Sequence, residues 1–190
     1  AGFRIERLDE SFPETWSRDR SFAALLGEIE RRTPVTPDRC FALYQLARFT
    51  ARVDGAIAEL GVYRGGTARL LARACPGRAV HLFDTFEGLP RTRADLDLHR
   101  EGDFADTSER AVREFLRDCP DVRIHAGLFP ASAAAVTDER FALVHIDVDD
   151  GRPSSSSLVA LAAGRHVASA WGATLYAAVI VHAPGEAPSP

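Results

Sequence analysis

Apolar residues at Phe22, Leu25, Leu26 and Ile29 follow the spacing of one helical face, so residues 1–33 read as a helical lead-in. Thr36-Pro37 is an N-cap followed by a first helical residue. The helix it opens places Phe41, Leu43, Tyr44, Leu46, Ala47 and Phe49 toward a sheet. Ile57, Leu60 and Val62 then mark a strand, and residues 68–75 return to helical periodicity. Residues 79–84 form a second strand ending on an acid, with Gly88-Leu-Pro90 closing its loop. The polar stretch 91–105 reads as a loop or lid. Asp106 and Glu109 are spaced as a capping box for a helix that shows Ala111, Val112, Phe115, Leu116 and Cys119 on one face. Residues 122–127 are a third strand, and 141–149 a fourth, apolar enough to be central and buried. Strands alternating with helices predict an α/β fold with a doubly wound, mostly parallel sheet, whose ligands bind beyond the strand C-termini. The reading is one domain over 1–183, with 1–50 as helical lead-in and 184–190 as a disordered tail.

Composition narrows the function more than the fold. The 190 residues are 46% hydrophobic and 26% charged, and no apolar run approaches a membrane span. A formal charge of −4 gives no electrostatic case for nucleic acid. Cys40, Cys75 and Cys119 are widely spaced, without metal-ligand spacing, and read as reduced, buried thiols of a cytoplasmic protein. Every one of the 23 basic residues is arginine, and the absence of methionine predicts a processed chain or a fragment. The charged start Phe3-Arg-Ile-Glu-Arg-Leu8 is no secretory signal.

Candidate chemistry concentrates at the strand ends. The turn after the first strand holds Gly61, Gly65 and Gly66, spaced neither as a dinucleotide fingerprint nor as a phosphate loop. Glycines let a ligand approach backbone closely, and the following helix presents free N–H groups. An acidic Glu59 just before the turn suits a cationic or hydroxyl-rich ligand, and S-adenosylmethionine (SAM), a sulfonium without phosphate, fits it. Asp84 stands where α/β nucleotide sites place an acid for the ribose hydroxyls, a geometry NAD shares. Arg64 suits a carboxylate such as the methionine end of SAM, or a surface salt bridge. Asp147 and Asp149 alternate onto one face, as Mg²⁺ or Ca²⁺ ligands or as a loop-capping cluster without an ion. A metal there would acidify a substrate hydroxyl while a neighbouring carboxylate takes its proton. His81 and His125 read as core or sheet residues, and His145 shares the Asp147 face. Ser154 to Ser157 reads as a helix entrance, since no nucleophile elbow surrounds it.

Taken together the motifs resemble the macrocin O-methyltransferase (TylF-like) family. Ala58-Glu-Leu-Gly-Val-Tyr-Arg-Gly-Gly-Thr67 is similar to its SAM signature and Phe83-Asp-Thr-Phe-Glu-Gly-Leu-Pro90 to its second motif. Gly102-Asp-Phe-Ala-Asp-Thr107, Gly127-Leu-Phe-Pro130 and Val144-His-Ile-Asp-Val-Asp149 follow in order, with 36–50 as the preceding helix, so the resemblance covers about 34–149. It implies a Rossmann-like class I methyltransferase fold and a SAM- and Mg²⁺-dependent O-methyltransferase acting on a natural-product hydroxyl, often a sugar, in antibiotic biosynthesis. By position, Glu59 and Gly61 would line the SAM site and Asp84 would hold its ribose, with Tyr63, Arg64, Gly65, Thr67 and Thr85 completing the cofactor set. Asp147 would be metal ligand and base, with Asp149 beside it. The partner implied is a small glycosylated acceptor, neither nucleic acid nor membrane, and a homo-oligomer stays open.

From Asp150 the pattern departs. The family continues to a strand ending in a metal-binding acidic pair, whereas here the strand at 173–183 runs into Ala183-Pro184. After position 150 the only acid is Glu186. The expectation is therefore a fold truncated, frame-shifted or divergent after its fourth or fifth strand. A catalytically impaired SAM-binding protein or partner subunit is the alternative function, and an NAD-dependent oxidoreductase a third.

Overall fold

A computed structural model of the chain describes residues 15–89 and 100–146. The expected strand at 173–183, the acids at 147–150 and the tail lie outside these residues, as does most of the 91–105 stretch.

Among the described residues four α-helices and four strands stand where the periodicity predicts them: α1 (Arg20–Ile29), α2 (Pro37–Phe49), β1 (Ala56–Leu60), α3 (Gly66–Ala74), β2 (Val80–Asp84), α4 (Glu109–Phe115), β3 (Val122–Ala126) and β4 (Phe141–Ile146), with only a 3-10 turn between β3 and β4. Every strand pair is parallel, and the order across the sheet is β3-β2-β1-β4. Chain progression therefore runs outward from β1 through β2 to β3, then reverses to place β4 on the other side of β1. This reversal opens a crevice beyond the carboxyl ends of β1 and β4. Among the described residues β4 is one of the two outer strands, with β3 the other, and it is half-buried; the strand expected at 173–183, the further strand in the predicted order, lies outside them.

The core forms where helical stripes meet one sheet face. Ile57, Val80 and Leu82 pack in one cluster with Phe22 and Ile29 of α1, Leu43, Tyr44 and Ala47 of α2, Leu70 and Leu71 of α3, and Val112 of α4. Full burial of each large apolar side chain contributes roughly 1.5–3 kcal/mol. The α1 stripe behaves as expected, and Asp19 caps the helix by accepting from the Ser21 and Phe22 amides at 3.0 Å. α2 lies against α1 and α3, and its Phe49 faces solvent instead of the sheet. Thr36 precedes α2 at the expected place but makes no side-chain capping bond. For α4 the cap is Ser108, whose hydroxyl accepts from the Ala111 amide at 3.2 Å. Asp106 takes no part in it, because its carboxylate is drawn to Tyr63 and Arg64.

Arg69 ties three helices together on the outside of this core. Its guanidinium donates to Glu28 at 2.7 Å, to both Asp118 oxygens at 2.6 and 2.9 Å and to the Phe115 carbonyl at 2.9 Å. These bonds hold the Asp118 carboxyl down to about 2 and push Arg69 further above its ordinary value.

The opposite sheet face is less apolar. His81 on β2 is buried and shares a hydrogen bond of 2.9 Å with His125 on β3, which stacks on Phe83. Burial holds both imidazoles below their ordinary value; His125 and Arg123 add to the effect on His81, and Glu139 opposes it. With folded values lowered, the two histidines leave stability intact above about 6.5, where both states are neutral. Below it the unfolded chain takes up protons that the fold resists. The urea midpoint is expected to fall between pH 7.5 and 5.5, and to fall less in His81→Phe. Equal losses in both chains would remove these histidines from the account.

Candidate functional site at the glycine turn

The turn between β1 and α3 is built from left-handed backbone. Gly61 and Gly65 both have φ +83°, and Tyr63 between them has φ +52°. The three glycines are used differently. Among the described residues a side chain at Gly61 would meet nothing within 4 Å, so this position faces open space above β1. At Gly65 it would press on Val112 of α4, and at Gly66 it would collide with the Arg32 backbone at 2.8 Å. Only Gly61 therefore leaves room for a ligand; Gly65 and Gly66 allow close packing of the chain on itself. Thr67 is buried in the first turn of α3.

Asp84, at the carboxyl end of β2, reaches under the turn. Its Oδ2 accepts from the Val62 amide at 2.6 Å and the Tyr63 amide at 3.0 Å, while Oδ1 accepts from Phe86 at 2.8 Å. A carboxylate has about four acceptor positions. Three are spent on backbone N–H groups, which makes Asp84 a staple of the turn and leaves roughly one position for a ribose hydroxyl. Thr85 is also engaged locally, donating to the Gly88 carbonyl at 2.8 Å.

Glu59 sits at the switch point and is fully buried. It faces His145 across the β1–β4 pairing, and its Oε1 meets His145 Nδ1 at 2.9 Å. Its other oxygen is buried and has no hydrogen-bond partner among the described residues. A buried acceptor left unpaired costs about 1–3 kcal/mol, so Oε2 is suited to an added donor, such as the ammonium of an amino acid. The residues present thus fit the cationic, hydroxyl-bearing cofactor that the sequence suggests. Arg64 is paired with Asp106 and lies 5.1 Å over the Tyr63 ring, so its surface-pair reading describes its present state.

Among the described residues, the non-glycine positions with positive φ are Tyr63, Phe86 and Phe104. All three gather here: Phe86 through the hydrogen bond its backbone N–H donates to Asp84, and Phe104 by packing edge-on against Tyr63 at 5.3 Å. Left-handed backbone costs a non-glycine residue about 1–2 kcal/mol, and such strain gathers at functional sites. Sequence periodicity cannot reveal it, because the aromatic residues involved read as ordinary core.

The proposed metal side of the site, Asp147 and Asp149, lies outside the described residues. Among the described residues there is no group of three metal-ligating side chains, and no helix long and apolar enough to cross a membrane.

A solved methyltransferase structure shares the fold, and others align in part. CalS11, a calicheamicin methyltransferase, aligns over 87% of this chain and 80% of its own, at 18% identity and a TM-score of 0.56. An O-methyltransferase from Bacillus cereus in complex with SAH aligns over 75% of this chain and 60% of its own (19% identity, TM-score 0.44). TomG, an O-methyltransferase from Streptomyces achromogenes involved in tomaymycin synthesis, in complex with SAM, aligns over 77% and 65% (17% identity, TM-score 0.42). No curated protein matches the sequence. A family model does: macrocin-O-methyltransferase (TylF), over residues 44–163. This match starts within α2 and continues past position 150, where the sequence motifs depart from the family pattern. Covering well over half of the chain, it shows that the protein belongs to the macrocin-O-methyltransferase family.

Proposed function

We propose that the chain binds SAM above the glycine turn and, with Mg²⁺, transfers its methyl group to a hydroxyl of a small natural product, often a glycoside. The observation that supports this most is the strained turn at the sheet's switch point, held by Asp84, beside the unpartnered oxygen of Glu59. Glu59 would accept the α-ammonium of SAM, Asp84 would offer its remaining acceptor position to the ribose, and Gly61 would let the cofactor lie against the backbone. Asp147 and Asp149 would hold Mg²⁺, which when bound lowers the pKa of the acceptor hydroxyl. Asp147 would take the hydroxyl proton as oxygen attacks the methyl carbon; the carbon–sulfur bond breaks, and its electron pair stays on sulfur as S-adenosylhomocysteine (SAH). The protein's main contribution is alignment of donor and acceptor.

The scarcity of acids after position 150, with Glu186 alone, favours a second reading in which SAM binds without turnover. Thermal shift separates the readings. SAM at about one hundred times its Kd adds roughly 2.7 kcal/mol of stability, and Mg²⁺ is expected to add a further shift that Asp147→Asn abolishes. A SAM shift indifferent to Mg²⁺ supports the second reading; a shift with NADH alone refutes both.

A further inference from the structure

Tyr63 is held from more directions than its place in a surface turn requires. Its amide is taken by Asp84 at 3.0 Å, and its carbonyl accepts the Thr107 hydroxyl at 2.6 Å. Its phenol donates to Asp106 Oδ2 at 3.1 Å, the same oxygen that pairs with Arg64, and its ring meets Phe104. Three of these contacts come from one short segment, Phe104 to Thr107. That segment is itself anchored to the loop after β2. The Leu89 amide donates to the Asp103 carbonyl at 2.8 Å, and the Gly102 amide donates to the Leu89 carbonyl at 3.0 Å. Gly88 passes so near that a side chain there would meet the Gly102 carbonyl at 2.8 Å.

We propose that Thr107 and Asp106 are positioning residues for the cofactor, clasping the strained turn in the conformation that receives SAM. Without the clasp, Tyr63 relaxes out of left-handed backbone, and the amides of residues 62 and 63 leave the Asp84 carboxylate. Thr107 is the stronger half, because its bond is short and partly buried. Asp106 is more than half exposed, so its ion pair alone is weak. Its effect comes from orienting the phenol and guanidinium together. The inference rests on the SAM reading, yet the clasp itself exists without ligand.

Calorimetry with SAH on Thr107→Val, Thr107→Ser, Asp106→Ala and the wild type tests it. Thr107→Val is expected to weaken SAH about tenfold and Asp106→Ala about threefold, with Thr107→Ser restoring wild-type affinity. Hydrogen exchange of the ligand-free chains is the second readout: amides of residues 62–65 should exchange faster in Thr107→Val and Asp106→Ala, while α1 and β3 are unchanged. Wild-type binding with both variants within twofold of it would overturn the clasp. If the wild type binds no SAH, the SAM reading fails, and unchanged exchange at 62–65 would then overturn the clasp independently.

Discussion

Asp84→Ala is expected to weaken SAH binding by at least about a hundredfold while the chain stays folded. Hydrogen bonds to an ionised acceptor are worth roughly 1.5–3 kcal/mol each, and this carboxylate accepts three from the backbone of the turn and its neighbouring loop. A hundredfold corresponds to about 2.8 kcal/mol, less than the sum of those bonds, because water replaces part of what is lost. Asp84→Asn keeps one accepting oxygen and can serve either the turn or Phe86, so about tenfold is expected for it. Calorimetry beside a urea midpoint checks both variants. If alanine and asparagine lose affinity equally, the staple is unimportant and only the charge matters.

The second large effect separates two adjacent glycines. Gly66→Ala should destabilise the fold by about 2–3 kcal/mol, the cost of overpacking at a site with no give. The new methyl would stand 2.8 Å from the carbonyl carbon of Arg32 and from Thr33 Cβ, and backbone cannot swing aside as a side chain can. Gly61→Ala meets no atom of the described residues and bears only the left-handed penalty, about 1–2 kcal/mol. Its methyl, however, enters the space assigned to the cofactor. Urea melts should therefore rank Gly66→Ala as the more damaging, and SAH affinity in whichever fraction folds should rank Gly61→Ala as the more damaging. The same ranking in both assays would place the ligand elsewhere.

The sequence told most where periodicity governs structure. The α1 stripe, the four strands and the Thr36-Pro37 helix start follow from burial patterns and backbone chemistry that neighbours in sequence determine. Asp84 and Glu59 were legible as candidate site residues because strand ends and glycine spacing mark them. What they bond to was not. The Asp84 bonds to residues 62 and 63 and the pairing of Glu59 with His145 depend on strand order, which no local pattern encodes. Asp106 shows why a local rule misleads. Its spacing to Glu109 suits a capping box, but Arg64 and Tyr63, more than forty residues earlier, compete for the same carboxylate and take it. Thr107 gave no signal beyond its place in a family motif.

Hydrogen exchange with and without SAH tests the central claim most directly, since it locates the ligand as well as detecting it. Protection is expected at residues 60–67, at 84–88 and at the carboxyl end of β4 around His145 and Ile146, with β3 and the exposed end of α2 unchanged. Protection confined to other segments, or none at saturating SAH, would contradict a cofactor site at the glycine turn.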